Sequence, residues 1–187
     1  MIVRSLAPLP DVKLIEPEIH SDPRGSFVET YEAQRYRDAG ISAAFVQDNF
    51  SVSSRNVIRG MHFQNPRGQA KLVRVACGAV WDAVVDVRRG SPSFGKWAGI
   101  ELSGEAQRQL YIPAGFAHGF VVLTETAVFE YKCSETYRPE FDRCLAWNDP
   151  DVGIDWPIDR PRVSERDEAA PLLSELLVGD SLPEFAG

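Results

Sequence analysis

The chain has 187 residues, of which 44% are hydrophobic and 10% aromatic. A single domain of this size buries enough apolar surface for a sizeable core. The formal net charge of −7 excludes general electrostatic attraction to nucleic acid or to an anionic membrane, because both require a positive surface field. We therefore expect no nucleic acid and no membrane among the partners. An anionic ligand must bind to a local cluster of arginine and lysine.

The cysteines and the N-terminus indicate the compartment. Cys77, Cys133 and Cys144 have no paired short spacing and leave an odd thiol if two of them pair, which favours reduced, cytosolic cysteines. The first residues include prolines and acidic side chains where a signal peptide has an unbroken apolar core. No run approaches the roughly 18 apolar residues of a membrane span. We expect a cytoplasmic protein.

The first predicted elements are a turn and a short helix. The DPRG cluster at 22–25 is typical of a turn. In TYEAQRYRDAG, residues 30–40, Thr30 is predicted to cap the helix N-terminus and Gly40 to end the helix.

Three later segments alternate side chains with a period of two, as strands do. Between Ala79 and Val87 we predict that the odd-numbered residues form the core face. KLVRVA at 71–76 and AVFEYKC at 127–133 alternate in the same way. If their apolar faces point inward, Lys71 and Tyr131 point inward too.

Turn clusters at 88–95, 102–105 and 112–115 separate the strands at roughly ten-residue spacing, as in an antiparallel sandwich or barrel. A second helix is predicted to begin near Ser164, and the final GDSLPEFAG is predicted to be a loosely held tail. No repeat with a period of about 20–50 residues is present. We therefore expect one mainly β domain over 1–187, with a C-terminal helix and tail at 160–187.

Two of the three histidines lie in unusual local settings, RGMHFQ around His62 and IPAGFAHGF around His118. The segment from Pro113 to His118 resembles the second motif of the cupin superfamily, whose histidine points into a barrel. The first motif of metal-binding cupins has two histidines one residue apart, followed by a glutamate. Here Phe63 and Gln64 follow His62, and two histidines without a suitably spaced carboxylate make a poor ligand set. We expect no metal and no other cofactor.

Seven motifs together carry a more specific resemblance. In chain order they are SDPRGSFVET, QDNFSVSSRNVIRGMHFQ, QAKLVRV, YIPAGFAHGF, EYKCSETYRPE, WNDPDVGIDWP and VSERD. Their composition and order resemble the dTDP-4-dehydrorhamnose 3,5-epimerase family from about residue 20 to 167. The resemblance implies a cupin jelly-roll barrel with a few short helices. It also implies a homodimer, with the N-terminal strands, about 1–60, at the interface and one residue donated across it.

The resemblance implies a reaction as well. In this family, protons at carbon 3 and carbon 5 of dTDP-4-keto-6-deoxyglucose are removed beside the 4-ketone and returned to the opposite face. The product is dTDP-4-keto-L-rhamnose. Such chemistry needs a base, a group that holds the enolate oxygen and an acid on the far side. We therefore expect an isomerase of this type.

Four residues are expected to be catalytic. His62 matches the base of the family, a role that suits imidazole near neutral pH, and Tyr131 matches the proton donor opposite the histidine. Lys71 lies on an apolar strand face, where it is costly to bury without a partner, and its ammonium would stabilise the enolate. Asp167 matches the carboxylate that orients the base, although Ser164-x-x-Asp167 is also a capping-box pattern. The alternatives are structural: a hydrogen-bonded histidine, a snorkelling surface lysine and a core tyrosine with a satisfied hydroxyl.

Other residues match substrate-binding positions. Arg59 and Arg24 match contacts to the diphosphate, to which the arginine fork is well suited, and Arg24 is commonly supplied by the neighbouring subunit. His118 matches a supporting position close to the sugar. The positions that match nucleotide contacts or line the site are Phe27, Glu29, Gln47, Asn49 and Tyr137. Each of these is alternatively a plain strand residue.

Three other functions stay open: inversion at carbon 3 or carbon 5 only, a related sugar 3,4-ketoisomerase, and a cupin that binds a sugar nucleotide without turnover. The ketoisomerases typically have a second histidine where this chain has Gln64. The chain departs from the common family pattern over 142–145 and at Arg166, beside the proposed site, which puts sugar selectivity in doubt more than reaction type. Cys144 is predicted to be buried and unreactive, because the sequence shows no neighbouring base.

Overall fold

The computed structural model describes residues 1–186, which form thirteen strands and three short α-helices. Residues that favour turns separate the strands. The elements are β1 Ile2–Leu6, β2 Leu9–Glu16, β3 Ile19–Asp22, β4 Gly25–Val28, α1 Ala33–Asp38, β5 Gln47–Ser54, β6 Ile58–Gln64, β7 Lys71–Cys77, β8 Ala79–Asp86, β9 Trp97–Ser103, β10 Gln109–Ile112, β11 Phe116–Val122, β12 Thr126–Cys133, β13 Asp142–Cys144, α2 Glu165–Glu168 and α3 Leu173–Val178.

Two antiparallel sheets form the body of the domain. The six-stranded sheet has the order β1-β2-β10-β7-β12-β5, and the five-stranded sheet has the order β13-β6-β11-β8-β9. Apolar side chains from both sheets form one buried cluster, which includes Val73 and Phe129 from the first sheet and Val84 and Phe120 from the second. Strands β3 and β4 form a separate hairpin. The expected mainly β jelly-roll barrel is confirmed.

Strand β8 corrects one expectation, because both of its faces are buried. Val80 and Val84 belong to the cluster between the sheets, whereas the odd-numbered Ala83 and Val85 pack in a second cluster with Leu173 of α3. A segment that returns from the C-terminus covers the outer face of the sheet. The alternation of side chains alone therefore identified the strand but not its inner face.

Strands β7 and β12 pair with each other, with Cys133 opposite Lys71 and Tyr131 opposite Val73. The side chain of Lys71 is buried, and that of Tyr131 packs partly buried against the cluster between the sheets. Both side chains point inward, as the alternation predicted. The interpretation of Lys71 as a snorkelling surface lysine is wrong.

The sequence predicted some ends of the short helices correctly and others incorrectly. The side chain of Glu32, and not Thr30, caps α1 by accepting from two backbone N–H groups, while Gly40 follows the helix with a φ of 84°. Ser164 caps α2 as expected. Pro171 separates α2 from α3, because proline lacks an N–H and disfavours helix in the residue before it.

The C-terminal residues up to 186 are held and not loose. The carbonyl oxygen of Pro183 accepts from the backbone N–H of Arg89 at 2.8 Å, and the N–H of Phe185 donates to the carbonyl of Arg89 at 3.0 Å. Leu182 is buried in the outer cluster. The expectation of a loosely held tail is therefore wrong for these residues. In the described part of the chain, no helix has the length and hydropathy needed to cross a membrane.

A close approach of backbones brings β6 and β11 together. A Cβ atom on Gly119 would lie 2.8 Å from the carbonyl oxygen of Arg59 and 3.0 Å from the Cα of Gly60. Only glycine fits there without backbone movement. His118, beside Gly119, is the cross-strand partner of His62. The glycine contact therefore sets how closely the two histidine-bearing strands pack.

We expect Gly119→Ala to lower the free energy of unfolding by about 1–3 kcal/mol, because backbone atoms must move to admit the methyl group. Gly179→Ala is the matched control, since its φ is −105° and the nearest atom to an added Cβ is 3.7 Å away. Urea unfolding of both variants and the wild type measures the effect. A Gly119→Ala midpoint equal to that of the wild type contradicts this account.

Candidate active site

A cavity of about 800 Å³ lies between the two sheets, and both sheets contribute side chains to its wall. Nine of the twelve residues that the sequence singled out line it. They are Gln47, Asn49, Arg59, His62, Lys71, His118, Tyr131, Tyr137 and Asp167. The fold therefore gathers into one place residues that are widely separated in the sequence.

His62 and Asp167 are in direct contact. The Nε2 atom of His62, on β6, lies 2.6 Å from Oδ1 of Asp167, on α2. The carboxylate oxygen Oδ2 also lies 3.5 Å from the backbone N of Gly60. Ser164 caps the helix instead, because its Oγ accepts from the backbone N–H of Asp167 at 3.1 Å. The capping pattern and the histidine contact thus coexist and use different atoms of Asp167.

The charge of Asp167 fixes the tautomer of His62. Burial acts to raise the pKa of Asp167, but the hydrogen bond and charge of His62 and donation from Gly60 and Ser164 outweigh it, so the pKa lies below its usual value. An ionised carboxylate only accepts hydrogen bonds, so Nε2 of His62 carries the proton. The other ring nitrogen, Nδ1, is then the one able to accept a proton.

Lys71 reaches toward His62 from the opposite sheet. Its Nζ donates to the carbonyl oxygen of His62 at 3.1 Å. Burial lowers the pKa of Lys71, while the charges of Cys133, Asp142 and Asp82 oppose that effect. The amino group of Lys71 therefore lies in a confined environment, where the positive charge of its protonated form would act on a bound ligand more strongly than in water.

Tyr131 also comes from the sheet opposite His62. Its ring tilts against Phe129, with the ring centroids 6.0 Å apart. Burial raises the pKa of Tyr131, so the phenol is protonated at neutral pH and able to donate. Because His62 and Tyr131 project from facing sheets, a ligand between the sheets has one of them on each side.

His118 forms a second pair, with a residue that the sequence did not single out as functional. Its Nε2 lies 2.9 Å from Oδ2 of Asp82, which is fully buried on β8. Burial raises the pKa of Asp82 and lowers that of His118. The available signal was a carboxylate on the same strand face as Val80 and Val84, because a buried carboxylate needs a partner.

The predicted nucleotide contacts form a polar wall. Gln47 accepts from the backbone N–H of Tyr137 at 2.8 Å and donates to Asn49 at 2.9 Å, while Arg59 donates to Ser53 at 2.9 Å. Two arginines that were not predicted as ligand contacts, Arg162 and Arg166, also line the cavity. Arginine and lysine are thus clustered locally in a chain of net negative charge.

Three predicted binding residues lie outside this cavity within the single chain. Arg24 is exposed on the β3–β4 turn and pairs with Asp22 at 2.6 Å. Phe27 on β4 is 70% exposed, and Glu29 pairs with Arg35. Arg24 and Phe27 line a separate hollow formed by the hairpin. The single chain therefore does not bring these residues to His62, and the idea that a neighbouring subunit does so stays a prediction.

Comparison with known proteins identifies the family. The family model described as dTDP-4-dehydrorhamnose 3,5-epimerase matches residues 7–175. The chain belongs to this family. A Pseudomonas aeruginosa protein of that name is 53% identical over 161 residues, which are 85% of this chain and 89% of that protein.

Solved structures of the epimerase family support the same assignment. The Legionella pneumophila dTDP-6-deoxy-D-glucose-3,5-epimerase, in complex with dTDP-4-keto-L-rhamnose, superposes with a TM-score of 0.95 at 45% identity, over 100% of this chain and 99% of that chain. A Streptomyces niveus relative, 42% identical over 92% of this chain and 84% of its own length, is named dTDP-4-dehydrorhamnose 3-epimerase. Relatives of this chain thus include proteins named for one carbon and for two.

In this member of the epimerase family, Cys144 lies beside the histidine and carboxylate. It is the cross-strand partner of His62 in the β13–β6 pairing, and its Sγ lies 3.6 Å from Oδ1 of Asp167. Burial and the charge of Asp167 raise the pKa of Cys144 to about 12. The expectation of no neighbouring base was wrong, and so was the expectation of a buried side chain, because Cys144 is only partly buried. The thiol is nevertheless protonated at neutral pH, and all three cysteines are unpaired.

We expect iodoacetamide at pH 8 to alkylate Cys77, which is exposed, much faster than Cys144, because only the thiolate is nucleophilic and Cys144 forms very little of it. Mass spectrometry of peptides from the folded protein, sampled over time, measures both rates. The denatured protein is the control, in which both cysteines react. Equal rates in the folded protein contradict the proposed environment of Cys144.

Proposed function

We propose that the protein epimerises dTDP-4-keto-6-deoxyglucose at carbon 3 and carbon 5 and forms dTDP-4-keto-L-rhamnose. The observation that carries the proposal is the contact between His62 and Asp167 on one wall of the cavity, with Tyr131 on the facing sheet. Epimerisation requires a base and an acid on opposite sides of the sugar ring. The names of the relatives, and the product bound to the Legionella structure, support this substrate.

The chemistry assigns one step to each group. Nδ1 of His62 accepts the proton from the carbon beside the ketone, and Asp167 stabilises the imidazolium that forms. The ammonium of Lys71 stabilises the negative charge that develops on the enolate oxygen. Tyr131 then donates its phenolic proton to the opposite face of the same carbon. The substrate loses one proton and gains one, so the net change is inversion alone.

The buried pair of His118 and Asp82 stabilises one part of the cavity wall. Its hydrogen bond holds the imidazole of His118 in one orientation against the cavity. His118 is also the cross-strand partner of His62. We assign His118 a supporting role near the sugar and leave proton abstraction to His62.

A second candidate function is inversion at carbon 3 alone. It is favoured by the Streptomyces niveus relative and by a 3'-monoepimerase from Streptomyces bikiniensis, which superposes with a TM-score of 0.91 at 38% identity. That structure covers 97% of this chain and 92% of its own. The two functions use the same base and differ in how many carbons it reaches.

We expect incubation with dTDP-4-keto-6-deoxyglucose in heavy water to place deuterium at both carbon 3 and carbon 5. His62→Ala should reduce turnover by about 100-fold or more, because the general base is lost. NMR of the sugar follows both labels with time. Binding of dTDP by the folded variant, measured by calorimetry, is the control for intact structure.

Deuterium at carbon 3 alone supports the second candidate and contradicts double epimerisation. No deuterium at either carbon contradicts both epimerase functions for this substrate. If His62→Ala retains full turnover, the assignment of His62 as the base is wrong.

We further propose a homodimer in which the β3–β4 hairpin contributes Arg24 to the neighbouring site. Arg24 and Phe27 are highly exposed in the single chain, and an exposed aromatic ring on a projecting hairpin suits a protein interface. Arginine suits the diphosphate of a dTDP-sugar geometrically. The N-terminal strands up to about residue 60 are proposed to form this interface within one domain of residues 1–187.

A mixture of two inactive variants tests whether Arg24 is donated from one subunit to the site of the other. Arg24→Ala and His62→Ala should each have low activity alone. A mixed dimer has one site with an intact His62 and an Arg24 from its partner, so mixing should restore about one quarter of wild-type activity if subunits exchange freely. Refolding the two variants together, followed by an activity assay, measures this.

The control mixes each inactive variant with itself under the same refolding conditions. No restoration despite formation of mixed dimers, shown by differently tagged chains, contradicts an Arg24 supplied in trans. A monomer in sedimentation analysis contradicts the dimer itself.

We also propose a cytoplasmic location, which the three unpaired cysteines support.

A further inference from the structure

Three elements bring three different metal-ligand groups together beside the proposed base. His62 comes from β6, Cys144 from β13 and Asp167 from α2. Their ligand atoms all lie within 4.8 Å of one another. The pairing of β13 with β6 sets His62 and Cys144 directly opposite each other. The proposed proton transfer uses the first and last of these residues and leaves the thiol unassigned.

The distances suit a small cation after a minor adjustment. Tetrahedral zinc, with bonds of about 2.0–2.3 Å, separates its ligand atoms by about 3.3–3.6 Å. Sγ of Cys144 already lies 3.6 Å from Oδ1 of Asp167. The contact of 2.6 Å between His62 and Asp167 must open by less than about 1 Å. His62 and Cys144 are both partly exposed, so the cluster is not sealed from solvent.

We propose that His62, Cys144 and Asp167 bind a thiophilic divalent cation such as Zn²⁺, and that this cation blocks turnover. Imidazole, thiolate and carboxylate together are a set of zinc ligands, whereas Mg²⁺ and Ca²⁺ require oxygen ligands. Binding stands independently of the proposed function. The block of turnover rests on that function, and the cation acts as an inhibitor and not as a cofactor.

The charges around His62, Cys144 and Asp167 make the choice of metal depend on the chemical type of the ligand atoms and not on net negative charge. Asp142 on β13 is paired with Arg166 at 2.6 Å. This guanidinium offsets the charge of the nearby carboxylate, so a hard cation gains little from simple attraction. Affinity must come from the sulfur and nitrogen donors, which select Zn²⁺ over Mg²⁺.

When the cation binds, His62 can no longer act as the base, because the proton of its imidazole ring changes position. A cation bound to Nε2 displaces the proton that this atom shares with Asp167, and a neutral imidazole then carries its proton on Nδ1. Nδ1 has no lone pair left to accept a proton from the sugar. The thiol proton of Cys144 passes to solvent when sulfur binds the metal. No group is oxidised or reduced.

The binding test uses the full-length protein and Co²⁺, which reports thiolate ligation by a charge-transfer absorption band. We expect this band in the wild type, its loss in Cys144→Ser, and its retention in Cys77→Ser and Cys133→Ser. Cys77 is exposed and Cys133 lies on the cavity wall, so these two variants control for binding by other thiols. Titration with Zn²⁺ should abolish the band by displacing Co²⁺.

The activity test compares Zn²⁺ with Mg²⁺. Zn²⁺ should inhibit the wild type reversibly, with recovery after EDTA, and Mg²⁺ should not. Cys144→Ser should retain basal turnover and require about 100-fold more Zn²⁺ for half inhibition, since loss of even an outer-shell partner costs about 10–100-fold in metal affinity.

The proposal is overturned if the Co²⁺ band persists in Cys144→Ser, or if Cys77→Ser or Cys133→Ser removes it instead. It is also overturned if Zn²⁺ inhibits the wild type and Cys144→Ser equally. If the wild type does not turn over the dTDP-sugar at all, the proposed function fails while the Co²⁺ band still decides whether the cation site exists.

Discussion

Burial of ionisable groups between two β-sheets is the constraint on which the site depends. Lys71, Asp82 and Asp167 are 7%, 0% and 4% exposed, and an isolated buried charge costs several kcal/mol. Each of the three has a compensating contact: Asp167 and Asp82 bond to histidines, and Lys71 bonds to a backbone carbonyl of β6. The polar interior is therefore a coupled set, in which removal of one member leaves another without its partner.

Apolar packing in the rest of the barrel provides the folding stability that offsets the cost of burying these polar groups. One apolar cluster fills the space between the sheets, and a second lies outside the five-stranded sheet, beneath α3 and the C-terminal residues. These clusters hold the two sheets at a fixed separation, so that side chains from facing strands meet across the cavity. Because His62 and Tyr131 belong to different sheets, the architecture itself provides the two opposed positions that inversion of a carbon requires. The proposed proton transfer and the proposed metal binding would compete for the same imidazole ring, because Asp167 both contacts His62 and offers a ligand to a cation.

The sequence by itself determined the strands β7, β8 and β12, the inward direction of Lys71 and Tyr131, the start of α2 at Ser164 and the membership of the family. These features depend on local alternation, local capping and motifs of a few residues, which are encoded within short segments. It also indicated nine of the residues that line the cavity, because their positions matched a family whose fold had already placed them together.

The tertiary structure decided which of the distant groups meet. The contact between His62 and Asp167, 105 residues apart in the chain, was implied beforehand by the family resemblance and not by spacing along the sequence. The pairing of Cys144 with His62 and that of Asp82 with His118 were indicated by neither. The strand β8 was recognised from its alternation, but the C-terminal segment that buries its outer face lies far away in the chain. The residues on the β3–β4 hairpin stayed outside the cavity, because a single chain offers them no contact with it. Side-chain direction is a local property of the backbone, whereas strand pairing and burial depend on contacts between segments that the sequence alone does not order in space.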